Sequence, residues 1–303
     1  MEELSQVEGV LQPDIRIEDR VSQHYDTLSA KLRAAADYVV ANQLDVATRS
    51  LRNVSATSGL APATFSRLAR ALEFDTFEAL RETCRGALWD RGASFADRAA
   101  RLTGSPAAEG SILERHSSAC ARNISDMSDA QHNARLAATV DVLAQAGQVL
   151  LFGTFSSTGI VEYMAYLAQY CRPNWSLAGR MGTSLGQAVT DLGAGDVLLI
   201  VTKTPYARRA VAAADLAREN GAKVVVITDS HTCPALKFAA FSFIVPSDSP
   251  QFFSSYAATI ALIETMIAML VAQDPDRASA RIREVELQNQ RLGEFWADHH
   301  NDK

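Results

Sequence analysis

The sequence predicts a two-domain chain: an all-α helix-turn-helix domain followed by an α/β domain built on a doubly wound parallel sheet. Three observations predict it. Up to about residue 90 the apolar residues recur only at helical spacing, with no strand pattern. Past Gly147, short runs apolar on both faces alternate with helical segments, the mark of a parallel sheet covered on both sides. The length of 303 residues, with 48% apolar content, suits two domains of ordinary size.

Taken in order, residues 1–22 are polar and aperiodic and read as a mobile arm. Residues 23–90 hold the helical domain, in which Leu28, Leu32, Ala35, Ala36, Val39 and Val40 line one helix face. Within it, Leu51 to Leu72 reads LRNVSATSGLAPATFSRLARAL. Val54 and Ala56 end a short helix, Gly59 supplies the turn, Leu60 fills the core, and Pro62 stands at the first position of the next helix. That helix buries Phe65, Leu68 and Leu72. Residues 91–125 are assigned to a linker and connecting helix: Gly92 to Gly110 is rich in Ala, Gly and Ser and partly helical from Phe95 to Leu102, and one helix from Ile112 to Leu143 leads onward. Residues 126–275 form the sheet domain. Its five strands are Gln148–Phe152, Asn174–Leu177, Val197–Val201, Val224–Ile227 and Phe241–Val245; its helices are Ile160–Tyr170, Arg208–Asn220 capped by Gly221, and Ser254–Ala272. Residues 276–303 are a charged, helical C-terminal extension with no partner evident.

Composition removes several functional classes. A net charge of −6 excludes a uniformly basic, nucleic-acid-coating protein but leaves room for one local basic face. Cys84, Cys120, Cys171 and Cys233 lie far apart without a C-x-x-C pair, so neither a zinc site nor a disulfide framework is expected, and no cofactor motif is present. The most apolar window, Ala257 to Val271, is interrupted by Glu264 and falls short of the roughly 20 residues of a membrane span. Glu2, Glu3 and Glu8 do not fit a signal peptide. A soluble cytoplasmic protein without membrane contact is the expectation.

Between Val46 and Leu72 stand four arginines, Arg49, Arg52, Arg67 and Arg70, and no acidic residue. Guanidinium groups on a helix pair bidentately with guanine or hold phosphates, and hydroxyls near the helix start bond phosphate oxygens. Arg52, Thr64, Ser66, Arg67 and Arg70 are therefore the candidate contacts to double-stranded DNA. A three-helix scaffold with a solvated polar face fits the same spacing.

Two loops in the second domain have anion-binding character. The first strand runs into Gly153-Thr154-Phe155-Ser156-Ser157-Thr158-Gly159 ahead of a helix, where amides and hydroxyls meet at the carboxyl edge of the sheet. Phe155 breaks any dinucleotide fingerprint. The third-strand run ends in Thr202-Lys203-Thr204-Pro205-Tyr206-Ala207-Arg208-Arg209. Candidate ligand-binding residues are Gly153, Ser156, Ser157, Thr202, Lys203, Thr204 and, beside Ser254 at the start of the last long helix, Ser255. Plain strand-to-helix connections with solvated cations, and a helix cap at Ser254 and Ser255, are the alternatives.

The stretch from Leu51 through Ala71-Leu72-Glu73-Phe74-Asp75-Thr76-Phe77 resembles the N-terminal domain of RpiR/MurR-type regulators, whose recognition helix carries the phrase sPaTvsRlaraLGF. Pro62, Thr64, Ser66, Arg67 and Phe74 stand at matching positions, while Ala61 replaces the capping serine and Glu73 the glycine that ends the helix. From Gln148 to Leu270 the chain resembles the sugar-isomerase (SIS) domain of the same family, through Asp196, Gly221-Ala222-Lys223 and Ile227-Thr228-Asp229-Ser230. The resemblance implies a non-enzymatic transcription regulator that binds an operator as a homodimer or tetramer and senses a phosphosugar-like or other anionic metabolite. The family's second loop reads S-x-S-G-x-T; here Pro205 replaces the glycine and Ala207 the last threonine, and Phe155 takes a glycine position in the first loop, where it is expected to crowd the pocket. The expected ligand is thus not a standard hexose phosphate. Lys203, Arg208 or Arg209 either recover anion affinity or face water. Two alternatives stay open: a ligand-independent DNA-binding and dimerisation module, and a SIS-type isomerase, for which Glu162, Glu264 and His231 are the candidate acid or base without forming a pair.

Overall fold

A computed structural model describes residues 17–92, 95–104, 111–127, 130–180 and 182–296. It divides into two compact units, Met1–Glu109 and Gly110–Lys303.

The described part of the first unit is all helical: α1 (Ile17–His24), α2 (Ala30–Ala41), α3 (Gln43–Thr48), α4 (Leu51–Ser58), α5 (Pro62–Ala71), α6 (Phe77–Gly92) and α7 (Phe95–Gly104). Its core gathers Val39, Val40, Val54, Phe65, Leu68, Leu72 and Leu80. Phe65 stands edge-on to both Tyr38 and Phe77, with ring centroids 6.1 and 6.0 Å away. Residues 17–22 are not an arm. They belong to α1, whose Ile17 and Val21 are fully buried. Two apolar residues one turn apart are too short a pattern to register as a helix in sequence, yet they suffice to dock one. Residues 1–16 lie outside the described residues.

The second unit opens with α8 (Ile112–Ser125) and α9 (Ala130–Gln145), followed by β1 (Val149–Gly153), α10 (Ser157–Cys171), β2 (Trp175–Leu177), α11 (Leu185–Thr190), β3 (Val197–Val201), α12 (Arg208–Glu219), β4 (Lys223–Thr228), β5 (Phe241–Ile244), α13 (Ala257–Gln273) and α14 (Pro275–Leu292). The single helix expected over Ile112–Leu143 is two helices, because α8 ends at Ser125 and Asp126 and Met127 lie in a turn. Nor is α8 a connector: it packs on α13, and Asn123 exchanges two hydrogen bonds with the Asp248 backbone, at 2.8 and 3.2 Å.

The five strands pair in parallel in the order β2-β1-β3-β4-β5. Alternate strand residues feed two cores. Val149, Leu151, Val197, Leu199, Val225 and Ile227 face α9, α10 and α13; Leu150, Phe152, Leu198, Ile200, Val224 and Val226 face α11 and α12. This explains why the strands read as continuous apolar runs. Asp196 knits the sheet's amino edge, accepting from the Gln148 and Gly193 amides at 2.9 Å each. The chain reverses its direction across the sheet at β1, so the loops after β1 and β3 diverge and leave a crevice between them at the carboxyl edge. The C-terminal extension finds its partner within the unit: α14 turns back on α10, where Asn289 donates to the Tyr170 hydroxyl at 3.3 Å.

Candidate functional site

In the first unit the candidate site is the exposed side of α4 and α5. Ser50 caps α4 by accepting from the Asn53 amide at 3.4 Å, and Gly59 turns the chain at φ 71°, where a side chain would be strained. The Ser55 hydroxyl donates to the Leu60 carbonyl and the Leu60 amide to the Ser58 hydroxyl, which fixes the turn. Pro62 starts α5, and Ala61 gives it no side-chain cap. Arg20 holds the other end: its guanidinium donates to the carbonyls of Leu72 and Glu73, both at 3.1 Å, and lies 4.6 Å over the Phe74 ring. A cation suits the negative end of a helix. Glu73 adopts φ 60°, the left-handed backbone that the usual glycine would supply.

Arg52, Arg67 and Arg70 are exposed, and none has an acidic partner among the described residues. Thr64 and Ser66 are half-buried on the same helix, and Ser66 returns a weak bond to the Pro62 carbonyl at 3.4 Å. Arg49 differs from the other three. Asp45, one residue upstream of the acid-free window, pairs with it at 2.8 Å.

In the second unit the first loop, the second loop and the start of α13 meet around Tyr256, which sequence reasoning missed. The Tyr256 hydroxyl lies 2.8 Å from the Ser157 hydroxyl and 2.9 Å from that of Ser156. Its ring carries the Lys203 ammonium 4.5 Å above the centroid. Lys203 does not face water: it is 6% exposed and donates to the Ser255 carbonyl at 2.8 Å. Ser255 itself is buried; its hydroxyl accepts from the Ala257 amide at 3.2 Å and its carbonyl seats Lys203. Gly153 is required beside Ser157, since a Cβ there would sit 2.6 Å from the Ser157 carbonyl oxygen. The only advance sign of Tyr256 was its place after two serines at a helix start.

Two expectations change. Phe155 does not crowd the loop; its side chain is 76% exposed, and its backbone takes φ 53°, which accounts for the glycine usual at that position. Thr202 and Thr204 do not join the Tyr256 group in any observed contact. Thr202 is buried where the strand ends, its amide donating to the Ile227 carbonyl. Thr204 turns to Asp229, to which its amide and hydroxyl donate. Arg208 and Arg209 are exposed at the start of α12, and Ala207 is a buried N-cap without a side-chain bond.

Chemically, three hydroxyls and one ammonium converge where α10 and α13 begin, an arrangement suited to an anion or a polyol. Among the described residues no cluster of His, Cys, Asp and Glu could hold a metal ion. Glu162 pairs with Arg180 at 3.1 Å, and Glu264 accepts from the Tyr163 hydroxyl at 2.6 Å; both are exposed.

Residues 142–269 match the SIS domain family. Among solved structures, the sugar isomerase domain of an RpiR transcription factor from Sphaerobacter thermophilus is similar at 20% identity and a TM-score of 0.52, over 58% of this chain and 96% of that one. The NanR protein of Vibrio vulnificus, solved in complex with ManNAc-6P, is similar at 19% identity and a TM-score of 0.52, over 91% of this chain and 99% of that one. No curated protein sequence matches the chain. Residues 142–269 thus match a SIS domain, and the two solved structures share its fold.

Proposed function

We propose that the chain is a DNA-binding transcription regulator whose SIS domain senses a small anionic, sugar-derived metabolite and thereby controls operator binding. The observation that carries the reading is the exposed side of α4 and α5, where Arg52, Arg67 and Arg70 stand without acidic partners among the described residues, in the same chain as a SIS domain. Ordinary solvated faces mix signs and pair their charges; a face kept free of carboxylates suits phosphate and base edges. Thr64 and Ser66 add hydroxyls near the start of α5.

The metabolite site is the group formed by Gly153, Ser156, Ser157, Lys203 and Tyr256. Support for a phosphorylated sugar derivative comes from its hydroxyls and ammonium and from the NanR likeness, since that protein was solved with ManNAc-6P. An isomerase needs a general base beside the sugar. Glu162 and Glu264 are exposed and engaged by Arg180 and Tyr163, which favours a sensor over an enzyme. Paired half-sites require at least a dimer, and ligand binding acts by changing the spacing of two α5 helices. Among the described residues no single helix is long and apolar enough to cross a membrane, in keeping with a cytoplasmic regulator.

Selection of genomic fragments on the full chain, followed by gel shift, tests the DNA half. A repeated half-site is expected. Arg67→Ala should weaken binding by roughly 1–3 kcal/mol and, if the contact is to a base edge, relax specificity there. An unchanged shift removes Arg67 from the interface.

A further inference from the structure

The second loop faces a carboxylate of its own chain. Asp229 follows β4 and is 6% exposed. Its carboxylate accepts from the Thr204 amide at 3.1 and 3.3 Å, from the Thr204 hydroxyl at 3.4 Å and from the Tyr206 hydroxyl at 3.2 Å. Burial, and then the Asp229 charge, raise the Tyr206 phenol, so it stays a donor. These are the donors, a backbone amide and two hydroxyls at the carboxyl edge of a strand, with which such a loop holds a phosphate. A second anion in the same place would meet the fixed carboxylate at a separation where like charges repel strongly.

We propose that Asp229 is a specificity-determining residue, an internal anion that fills the second loop and restricts the site to ligands with one anionic group. The inference rests on the metabolite site proposed above. That group binds beside Ser156, Ser157, Tyr256 and Lys203. The rest of the ligand, turned toward the second loop, is uncharged and hydroxylated or carries an ammonium. Molecules with an anion at each end are excluded.

The test uses the full chain with inorganic phosphate as the probe. Calorimetry should find one phosphate per wild-type chain and two per Asp229→Asn chain, because the amide side chain no longer repels the second. A folded Asp229→Asn chain that gains no phosphate over wild type overturns the role of Asp229. Should that variant lose its thermal transition, amide chemical shifts of the wild type decide. Phosphate should move the Gly153 and Ser157 amides and leave Thr204 in place. Movement of Thr204 overturns the role of Asp229 alone. Silence of both loops overturns the metabolite site itself, and with it this inference.

Discussion

The Tyr256 hydroxyl is a single atom on which the geometry of the proposed metabolite site turns, and Tyr256→Phe removes it while leaving the ring under Lys203. Ser157 is only 2% exposed, so it loses a partner at 2.8 Å that water does not readily replace; Ser156 is exposed and rebonds to solvent. Orphaning one buried hydroxyl costs about 1–3 kcal/mol. For a unit the size of Gly110–Lys303, each kcal/mol lowers the melting temperature by about 2–4 °C, so a fall of roughly 2–12 °C is expected. Tyr256→Leu should cost a further ~1–2 kcal/mol, since it also strips the ring from a buried ammonium. Differential scanning calorimetry of both variants separates the two contributions. Equal melting of wild type and Tyr256→Phe, or of the two variants, refutes the reasoning.

Gly153→Ala places a methyl 2.6 Å from a backbone oxygen that cannot rotate away, so it should destabilise the second unit by about 1–3 kcal/mol and abolish phosphate binding; retained binding at wild-type stability contradicts this. Glu73→Gly relieves a left-handed backbone while keeping the carbonyl that Arg20 holds, for a net gain of roughly 0.5–1 kcal/mol once glycine's entropy is counted, read as a higher melting temperature of the first unit. Burial and the hydrogen bond from its hydroxyl to Asp37 push the Tyr25 phenol from 10.0 up to about 12. The folded state holds that proton more tightly, so the stabilisation is present below pH 10.0 and lost as pH rises toward about 12. Tyr25→Phe should remove that part of the alkaline loss, and an identical pH profile would count against it.

What sequence made legible is what depends on near neighbours. Pro62 and Gly59 lie close together and set the turn and the start of α5 by their own backbone limits, and the strands show themselves because both of their faces are buried. What depended on distant partners stayed hidden. Lys203 looks like any loop lysine until Tyr256 and Ser255 come beneath it from the far end of the domain. Arg20 reads as part of a polar arm until its guanidinium reaches Leu72 and Glu73. Phe155 shows a third limit: the family resemblance marked the position as unusual, but only the backbone angle shows that the glycine position is about conformation and not about space. Residue identity likewise placed Thr202 and Thr204 beside a ligand, whereas Asp229 claims the donors of Thr204.

The central claim is that one chain couples the two sites. Fluorescence anisotropy of the selected operator, titrated with the full chain in the presence and absence of a panel of hexosamine and hexose monophosphates, tests it directly. At least one member should change the operator Kd by about 5–150-fold, the range of ordinary allosteric coupling, and the change should vanish in Tyr256→Leu. An operator Kd that stays constant across a panel member shown by calorimetry to bind the protein would contradict the account.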